Sequence, residues 1–232
     1  MKFAILVFPG SNCDDDLVYV LREIMGQSVV KIWHKDHDLQ GAEVVMVPGG
    51  FAYGDYLRAG AIARFSPIMR EVAAHAQRGG YVWGICNGFQ VLTEAGLLEG
   101  ALLRNLSQQY VCKNIYLRPV STQTLLTQHL DSSKAYCIPM AHGEGRYYAP
   151  ADTLKKLQDQ DQILFQYCEA DGIISEAANP NGSLLNIAGI CNSARNVFGM
   201  MPHPERAADE MLGNTDGRLF FESLLGTLLE KV

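Results

Sequence analysis

Six apolar residues in a row, Phe3-Ala4-Ile5-Leu6-Val7-Phe8, open the chain. They are followed by the turn Pro9-Gly10-Ser11-Asn12 and the acidic run Asp14-Asp15-Asp16. An unbroken apolar run of this length predicts a strand buried on both faces, and acids in a first turn complement the positive end of a helix dipole better than they suggest a metal site. The same alternation recurs, with strands predicted near Ser28 to Ile32, Val44 to Val47 and Tyr81 to Ile85, and helical stretches around Leu17 to Met25 and Ile62 to Arg78. Continuous rather than alternating apolar strands, separated by amphipathic helices, predict an α/β fold with a parallel sheet covered on both faces.

After residue 100 the apolar runs shorten, to Val111 to Leu117, Tyr136 to Ile138 and Ile163 to Tyr167. The stretch from Cys168 to Ser183 holds Asp171-Gly172 and Asn179-Pro180-Asn181-Gly182, and reads as a hairpin or a long surface excursion. A closing helix is expected from Gly217 to Glu230, with Leu219, Phe220, Leu224, Leu225 and Leu228 on its apolar face. With no internal repeat and no linker composition, residues 1–232 read as a single domain.

Composition narrows the class. A length of 232 residues with 48% hydrophobic and 19% charged content is that of a globular chain with an ample core. The first apolar run is too short for a secretion signal, no later run approaches a membrane span, and Asn12 fits poorly before a lipidated Cys13, so a cytoplasmic location is expected. A net charge of −6 without a basic stripe argues against nucleic acid as the main partner. The cysteines at 13, 86, 112, 137, 168 and 191 lack CxxC spacing, which gives neither a zinc signature nor a disulfide framework. His34 and His37 near Asp36 and Asp38 imitate a metal cluster but read more simply as a polar loop, so no metal is expected.

The candidate chemistry lies at Gly84-Ile85-Cys86-Asn87-Gly88 and at Met201-Pro202-His203-Pro204-Glu205. Glycines two residues either side of a reactive side chain let a strand turn sharply into a helix, which exposes the nucleophile. Pro202 and Pro204 stiffen an extended segment in which His203 and Glu205, two apart, face the same side. Cys86, His203 and Glu205 are thus the candidate nucleophile, base and orienting acid. In an open α/β sheet, sites form beyond the carboxyl ends of the strands, where Pro9 to Cys13, Pro48-Gly49-Gly50-Phe51 and the Cys86 elbow converge. Gly49, Gly50 and Phe51, with the amide of Asn87, are the candidate oxyanion and substrate-binding positions.

These residues resemble class I glutamine amidotransferases, in which Gly84-Ile85-Cys86-Asn87-Gly88-Phe89-Gln90 matches the G-x-C-x-G-x-Q elbow and His203-Pro204-Glu205 the H-P-E block. The match sharpens with Pro48-Gly49-Gly50-Phe51, Gly54-Asp55-Tyr56-Leu57-Arg58-Ala59-Gly60-Ala61, Thr93-Glu94-Ala95-Gly96-Leu97-Leu98, Ala141-His142-Gly143-Glu144-Gly145 and Gly199-Met200-Met201-Pro202-His203-Pro204-Glu205-Arg206. Over nearly the whole chain the sequence resembles the glutamine amidotransferase subunits of phosphoribosylformylglycinamidine synthase. The resemblance implies a mostly parallel central sheet with helices on both faces, and hydrolysis of L-glutamine to glutamate and ammonia through a Cys86 thioester. It also implies transfer of the ammonia to a large, ATP-dependent synthetase subunit, with a small bridging subunit, for conversion of formylglycinamide ribonucleotide to formylglycinamidine ribonucleotide in purine biosynthesis. No cofactor is implied for this chain, which carries no P-loop, and ATP and Mg²⁺ are expected on the synthetase.

By its place in the motif Gln90 contacts substrate, or else lies on a helix surface. His142 lines the site or a subunit face, or makes a structural hydrogen bond, and Arg58 and Arg206 pair with site carboxylates or the partner, or occupy ordinary surface positions. Two other functions remain open on the sequence: a stand-alone γ-glutamyl Cys hydrolase that turns over without a partner, and a non-catalytic small-molecule binding module in which Cys86 is structural or redox-sensing.

Overall fold

The first strand, β1 (Lys2–Val7), pairs in parallel with β2 (Ser28–Trp33) on one side and β3 (Val44–Val47) on the other. This computed structural model describes residues 1–229. Between β1 and β2 runs α1 (Asp14–Tyr19), which continues through a π-helical turn to Ile24. Its three aspartates all sit in the first turn. Asp14 and Asp15 reach Lys31 at 2.6 and 2.7 Å, and Asp16 reaches Arg206 at 3.2 Å, so each adds an ion pair to its favourable place at the helix dipole.

The helix expected from Ile62 starts later, as α2 (Ile68–Gln77), because Ser66 precedes Pro67 and is held extended at ψ 139°. It packs Ile68, Met69, Val72 and Ala76 into the core and leads to β4 (Tyr81–Ile85), which pairs with β3. At its carboxyl end β4 turns directly into α3 (Asn87–Glu94). Every residue of β3 is buried, as the unbroken apolar pattern requires for a strand covered on both faces.

The second half extends this sheet with the opposite polarity. After β5 (Ala101–Leu103) come β6 (Val111–Pro119), β7 (Tyr136–His142), β8 (Arg146–Tyr148), α4 (Ala151–Asp159), β9 (Ile163–Cys168), β10 (Ile187–Cys191) and β11 (Val197–Met200). The large sheet has nine strands in the order β2-β1-β3-β4-β11-β10-β9-β6-β7, while β5 and β8 form a separate antiparallel pair. Parallel pairing holds from β2 through β11, and from β11 outward every pair is antiparallel. The last strand in sequence therefore inserts beside β4, setting the segment after Met200 next to the elbow after Ile85.

Residues 169–183 form turns and bends without a strand pair, so the hairpin alternative is not realised. Ile173 is exposed there, but Asn181 and Ser183 are buried at the end of the excursion. The closing helix, α5 (Arg218–Leu229), buries Phe220, Phe221, Leu224 and Leu225 and leaves Leu219 exposed. Its inward face is turned one residue from that expected because Phe220 meets Tyr136 and Phe165, while Phe221 meets Trp83. The side chain of Leu228 and residue Glu230 lie outside the described residues.

Candidate active site

Cys86 occupies the turn between β4 and α3 with φ 52° and ψ −108°, a conformation that side-chain-bearing residues rarely adopt. Strain of this kind costs about 1–3 kcal/mol and is kept only when the surroundings enforce it. Here the Cys86 amide donates to the Met200 carbonyl at 2.8 Å, and Gly88 lies so close to the Val47 carbonyl that no side chain fits. The elbow is thus pinned between β11 and β3. Cys86 is 5% exposed, with its Sγ 3.8 Å from the Ala141 carbonyl of β7.

His203 arrives from the segment after β11, where its amide donates to the Pro139 carbonyl at 2.8 Å. Its Nδ1 lies 2.6 Å from Glu205 Oε1, with both side chains almost fully buried. Burial opposes the imidazolium. The carboxylate of Glu205 and the sulfurs of Cys86 and Cys13 outweigh that effect and hold the His203 pKa well above the ordinary histidine value. Because Glu205 engages Nδ1, Nε2 is left for the sulfur side. Glu205 Oε2 has no hydrogen-bond partner among the described residues, so this buried carboxylate depends on the charge of His203 for compensation.

Cys13 is the residue that the sequence reading missed. No motif in the sequence marks it, although its loop, Pro9 to Cys13, ends at the predicted convergence point. Cys13 is buried at the start of α1, accepts from Arg206 Nη2 at 3.1 Å and contacts His203. Arg206 is therefore tied to Cys13 and Asp16, whereas Arg58 forms a two-pronged pair with Glu94 at 2.6 and 2.7 Å. Cys13, His203 and Glu205 place ligand-type atoms within 4.8 Å of one another, a proximity that the His203–Glu205 pairing itself largely produces.

The glycine-rich loop after β3 borders this group. A side chain at Gly49 would stand 2.7 Å from His203 Cε1 and 3.4 Å from Cys86 Cβ, so Gly49 lets His203 and Cys86 share one space. Gly50 and Phe51 line the cavity, but the Phe51 amide already donates to the Gly10 carbonyl at 3.0 Å. Asn87 begins α3, where helix amides lack intrahelical partners, and its side chain ties three elements together. Asn87 Oδ1 accepts from the Ala52 amide at 3.0 Å, while Nδ2 donates to Gln90 Oε1 at 2.9 Å and to Asp55 Oδ1 at 3.3 Å.

Gln90 is buried and lines the cavity rather than a helix surface, and its Nε2 donates to the Glu144 carbonyl. His142 also lines the cavity, with Nδ1 3.0 Å from Asn105 Oδ1. Burial, reinforced by the charge of His203, lowers the His142 pKa to about 4 and keeps it neutral. The cavity of ≈ 340 Å³ brings Cys86, His203, Cys13, Gly50, Phe51 and Gln90 to one opening. His34 does not contribute to it: buried, it bonds the Tyr53 hydroxyl at 2.7 Å and so braces the loop after β3.

A strained buried thiol, an imidazole at its side and a buried carboxylate on the far imidazole nitrogen can perform nucleophilic acyl transfer. Comparison with known proteins agrees with this chemistry. Residues 1–218 match the family of CobB/CobQ-like glutamine amidotransferase domains. The chain is 57% identical to the phosphoribosylformylglycinamidine synthase subunit PurQ of Chlorobium chlorochromatii, over 97% of this chain and 96% of that one. It is 55% identical over the full length of both chains to the subunit of the same name from Gloeobacter violaceus. In the solved structure of PurLQS from Thermotoga maritima a chain superposes with a TM-score of 0.85 at 40% identity, covering 98% of each chain. The chain therefore belongs to the CobB/CobQ-like glutamine amidotransferases and, among them, to the PurQ subunits of phosphoribosylformylglycinamidine synthase.

Proposed function

We propose that Cys86, His203 and Glu205 carry out the glutaminase half-reaction of phosphoribosylformylglycinamidine synthase. The observation that carries this assignment is the strained, buried Cys86 beside a His203 whose outer nitrogen is 2.6 Å from a buried carboxylate. The carboxamide of L-glutamine enters the cavity, and the Cys86 sulfur, its proton already held on His203, attacks the carboxamide carbon. The backbone amides of Gly50 and Asn87 face the oxygen as it gains negative charge. Loss of one such donor typically costs about 3 kcal/mol of transition-state stabilisation. His203 returns the proton to the departing nitrogen, releasing ammonia and leaving a γ-glutamyl thioester on Cys86. Water, deprotonated by the same imidazole, then cleaves the thioester to glutamate and the free thiol. Glu205 holds the imidazole orientation in both halves, and Cys13 with Arg206 supports it from the sulfur side.

The ammonia is consumed by the large synthetase subunit, with the small bridging subunit completing the assembly. ATP and Mg²⁺ act on the synthetase rather than on this chain. Among the described residues no helix is long and apolar enough to cross a membrane.

The test is formation of formylglycinamidine ribonucleotide by the complete complex, with glutamine or ammonium as nitrogen donor. Cys86→Ala is expected to abolish glutamine-driven synthesis, and Glu205→Gln to lower it on the order of 10²- to 10³-fold, while ammonium-driven synthesis persists in both. Full glutamine-driven activity in Cys86→Ala would remove the thioester mechanism.

A further inference from the structure

Cys13 and Cys86 are unpaired thiols held against one imidazole. Both are buried, both line the cavity, and both sulfurs engage His203. The point at which a side chain on Gly49 would begin lies 3.1 Å from Cys13 Sγ, 3.4 Å from Cys86 Cβ and 2.7 Å from His203 Cε1, so the glycine leaves the two cysteines facing one small space. Cys13 forms no bond to substrate in the half-reaction, yet it stands in an electropositive corner. Arg206 Nη2 donates to its sulfur at 3.1 Å, and Asp16 holds that arginine at 3.2 Å. Cysteines set among cationic groups at the edge of a cavity are the reactive ones. The other cysteines contrast with this pair: burial pushes the Cys168 and Cys191 thiols up to about 11 and about 12 and raises that of Cys137, while Cys112 is exposed on β6.

We propose that Cys13 and Cys86 are an oxidisable pair, in which hydrogen peroxide converts Cys86 to a sulfenic acid and Cys13 resolves it to a disulfide that turns the glutaminase off until a thiol reductant restores it. The loss of activity rests on the glutaminase reading of Cys86; formation of the bond does not. The cavity of ≈ 340 Å³ opens on both sulfurs and admits a molecule as small as peroxide. The Cys86 sulfur, its proton on His203, attacks one peroxide oxygen. The O–O bond breaks, and the departing hydroxide takes the His203 proton and leaves as water. The Cys13 sulfur then attacks the Cys86 sulfur, the S–O bond breaks, and the hydroxyl leaves with the Cys13 proton as a second water. The two thiols lose two electrons and the peroxide gains them. The elbow fixes the Cys86 backbone but not its sulfur, whose polar contacts are His203 and the Ala141 carbonyl at 3.8 Å. The side chain turns toward Cys13, and Cys13 moves at the end of the loop of residues 9–13 to reach the Cβ separation of about 3.8 Å that a disulfide requires. Without a resolving thiol the sulfenic acid goes on to sulfinic acid, which thiols do not reverse.

The test uses the complete complex carrying Cys112→Ser, which removes the exposed thiol. Glutamine-driven and ammonium-driven synthesis are assayed before peroxide, after peroxide and after dithiothreitol, each variant against its own untreated activity, and peptides are mapped by mass spectrometry. With Cys13 in place, peroxide is expected to lower glutamine-driven synthesis by at least about 10-fold and to leave ammonium-driven synthesis within about 2-fold. It links the Cys13 and Cys86 peptides with loss of two hydrogens, and dithiothreitol restores the activity. With Cys13→Ser the linked peptide is absent, Cys86 gains two oxygens and dithiothreitol restores little. Absence of the linked peptide in the protein that retains Cys13, a measurement independent of how any active-site variant folds, would overturn the proposal. So would recovery in Cys13→Ser equal to that with Cys13, or an equal loss of ammonium-driven synthesis, which would place the oxidation on the synthetase. A linked peptide with undiminished glutamine-driven synthesis would overturn the switch and, unlike those outcomes, the thioester reading as well.

Discussion

At the scale of single residues, the site concentrates groups that are costly to keep in an apolar interior. Cys13 shows how closely they depend on one another, since its sulfur meets Arg206 on one side and His203 on the other. Replacing it by alanine leaves a cavity and removes one of the groups that favour imidazolium. Cys13→Ala is therefore expected to lower glutamine-driven kcat/KM by about 10-fold and to move the alkaline limb of Cys86 alkylation by iodoacetamide to lower pH, while Cys13→Ser restores part of both. An unmoved pH profile would reduce Cys13 to packing. Asp55 carries a cost of the opposite kind. Burial and the charge of Glu144 give its carboxyl a pKa of about 6 folded against an ordinary value of 3.8, so between these values the folded state binds more protons and stability falls as pH rises. The isolated Asp55→Asn chain is expected to be more stable than wild type at pH 8, by about 1 kcal/mol once solvent screening of this half-exposed group is allowed for, and to converge with it near pH 4. Chemical denaturation at both pH values measures it.

At the scale of elements, the strand–elbow–helix unit is the mechanical centre of the molecule. Gly88 packs its backbone on the Val47 carbonyl and Gly84 packs against Gly88, so β3, β4 and α3 approach more closely than side chains would permit. Gly88→Ala forces β3 and α3 apart. It is expected to cost more than about 3 kcal/mol of stability and to abolish glutaminase activity with Cys86 still present. A soluble, active Gly88→Ala protein would show that the close approach is dispensable. The sequence pattern made this unit legible, because an apolar run ending in Gly-x-Cys-x-Gly names a strand, a sharp turn and a helix start in order. The true start of α2 was less legible, since the amphipathic pattern continues upstream of Pro67 while the backbone at Ser66 cannot be helical.

At the scale of the whole molecule, distant segments of the second half are joined through buried polar groups as well as through the sheet. Asn105 Nδ2 donates to the His142 carbonyl at 2.9 Å, and Asn181 Nδ2 donates to the Gly145 carbonyl at 2.9 Å, anchoring the loop that carries Glu144. His142 is neutral inside this network, with a pKa of about 4 against an ordinary 6.5, so the unfolded chain binds the extra proton between those values. Stability is then fully present above pH 6.5 and is lost as pH falls toward 4, by up to about 3 kcal/mol from this one group. Urea unfolding across that range should show the loss, and His142→Gln should flatten the slope relative to wild type. An unaltered slope would assign the acid sensitivity elsewhere.

The chain by itself determined the parallel half of the sheet and the elbow, because each is written in local spacing: continuous apolar runs and flanking glycines. It also paired His203 with Glu205, but through a 3-10 turn at Pro204–Arg206 rather than the extended segment expected, because Pro204 is accommodated at the first position of the turn. The tertiary structure alone decided the rest. The insertion of β11 beside β4 brings His203 to Cys86 across 117 residues of sequence. The antiparallel extension, the inward position of Cys13 and the meeting of Asp55 with Glu144 likewise come from segments far apart in the chain. No local pattern encodes such meetings, because strand order and loop approach are fixed by which buried surfaces fit together once the chain has collapsed.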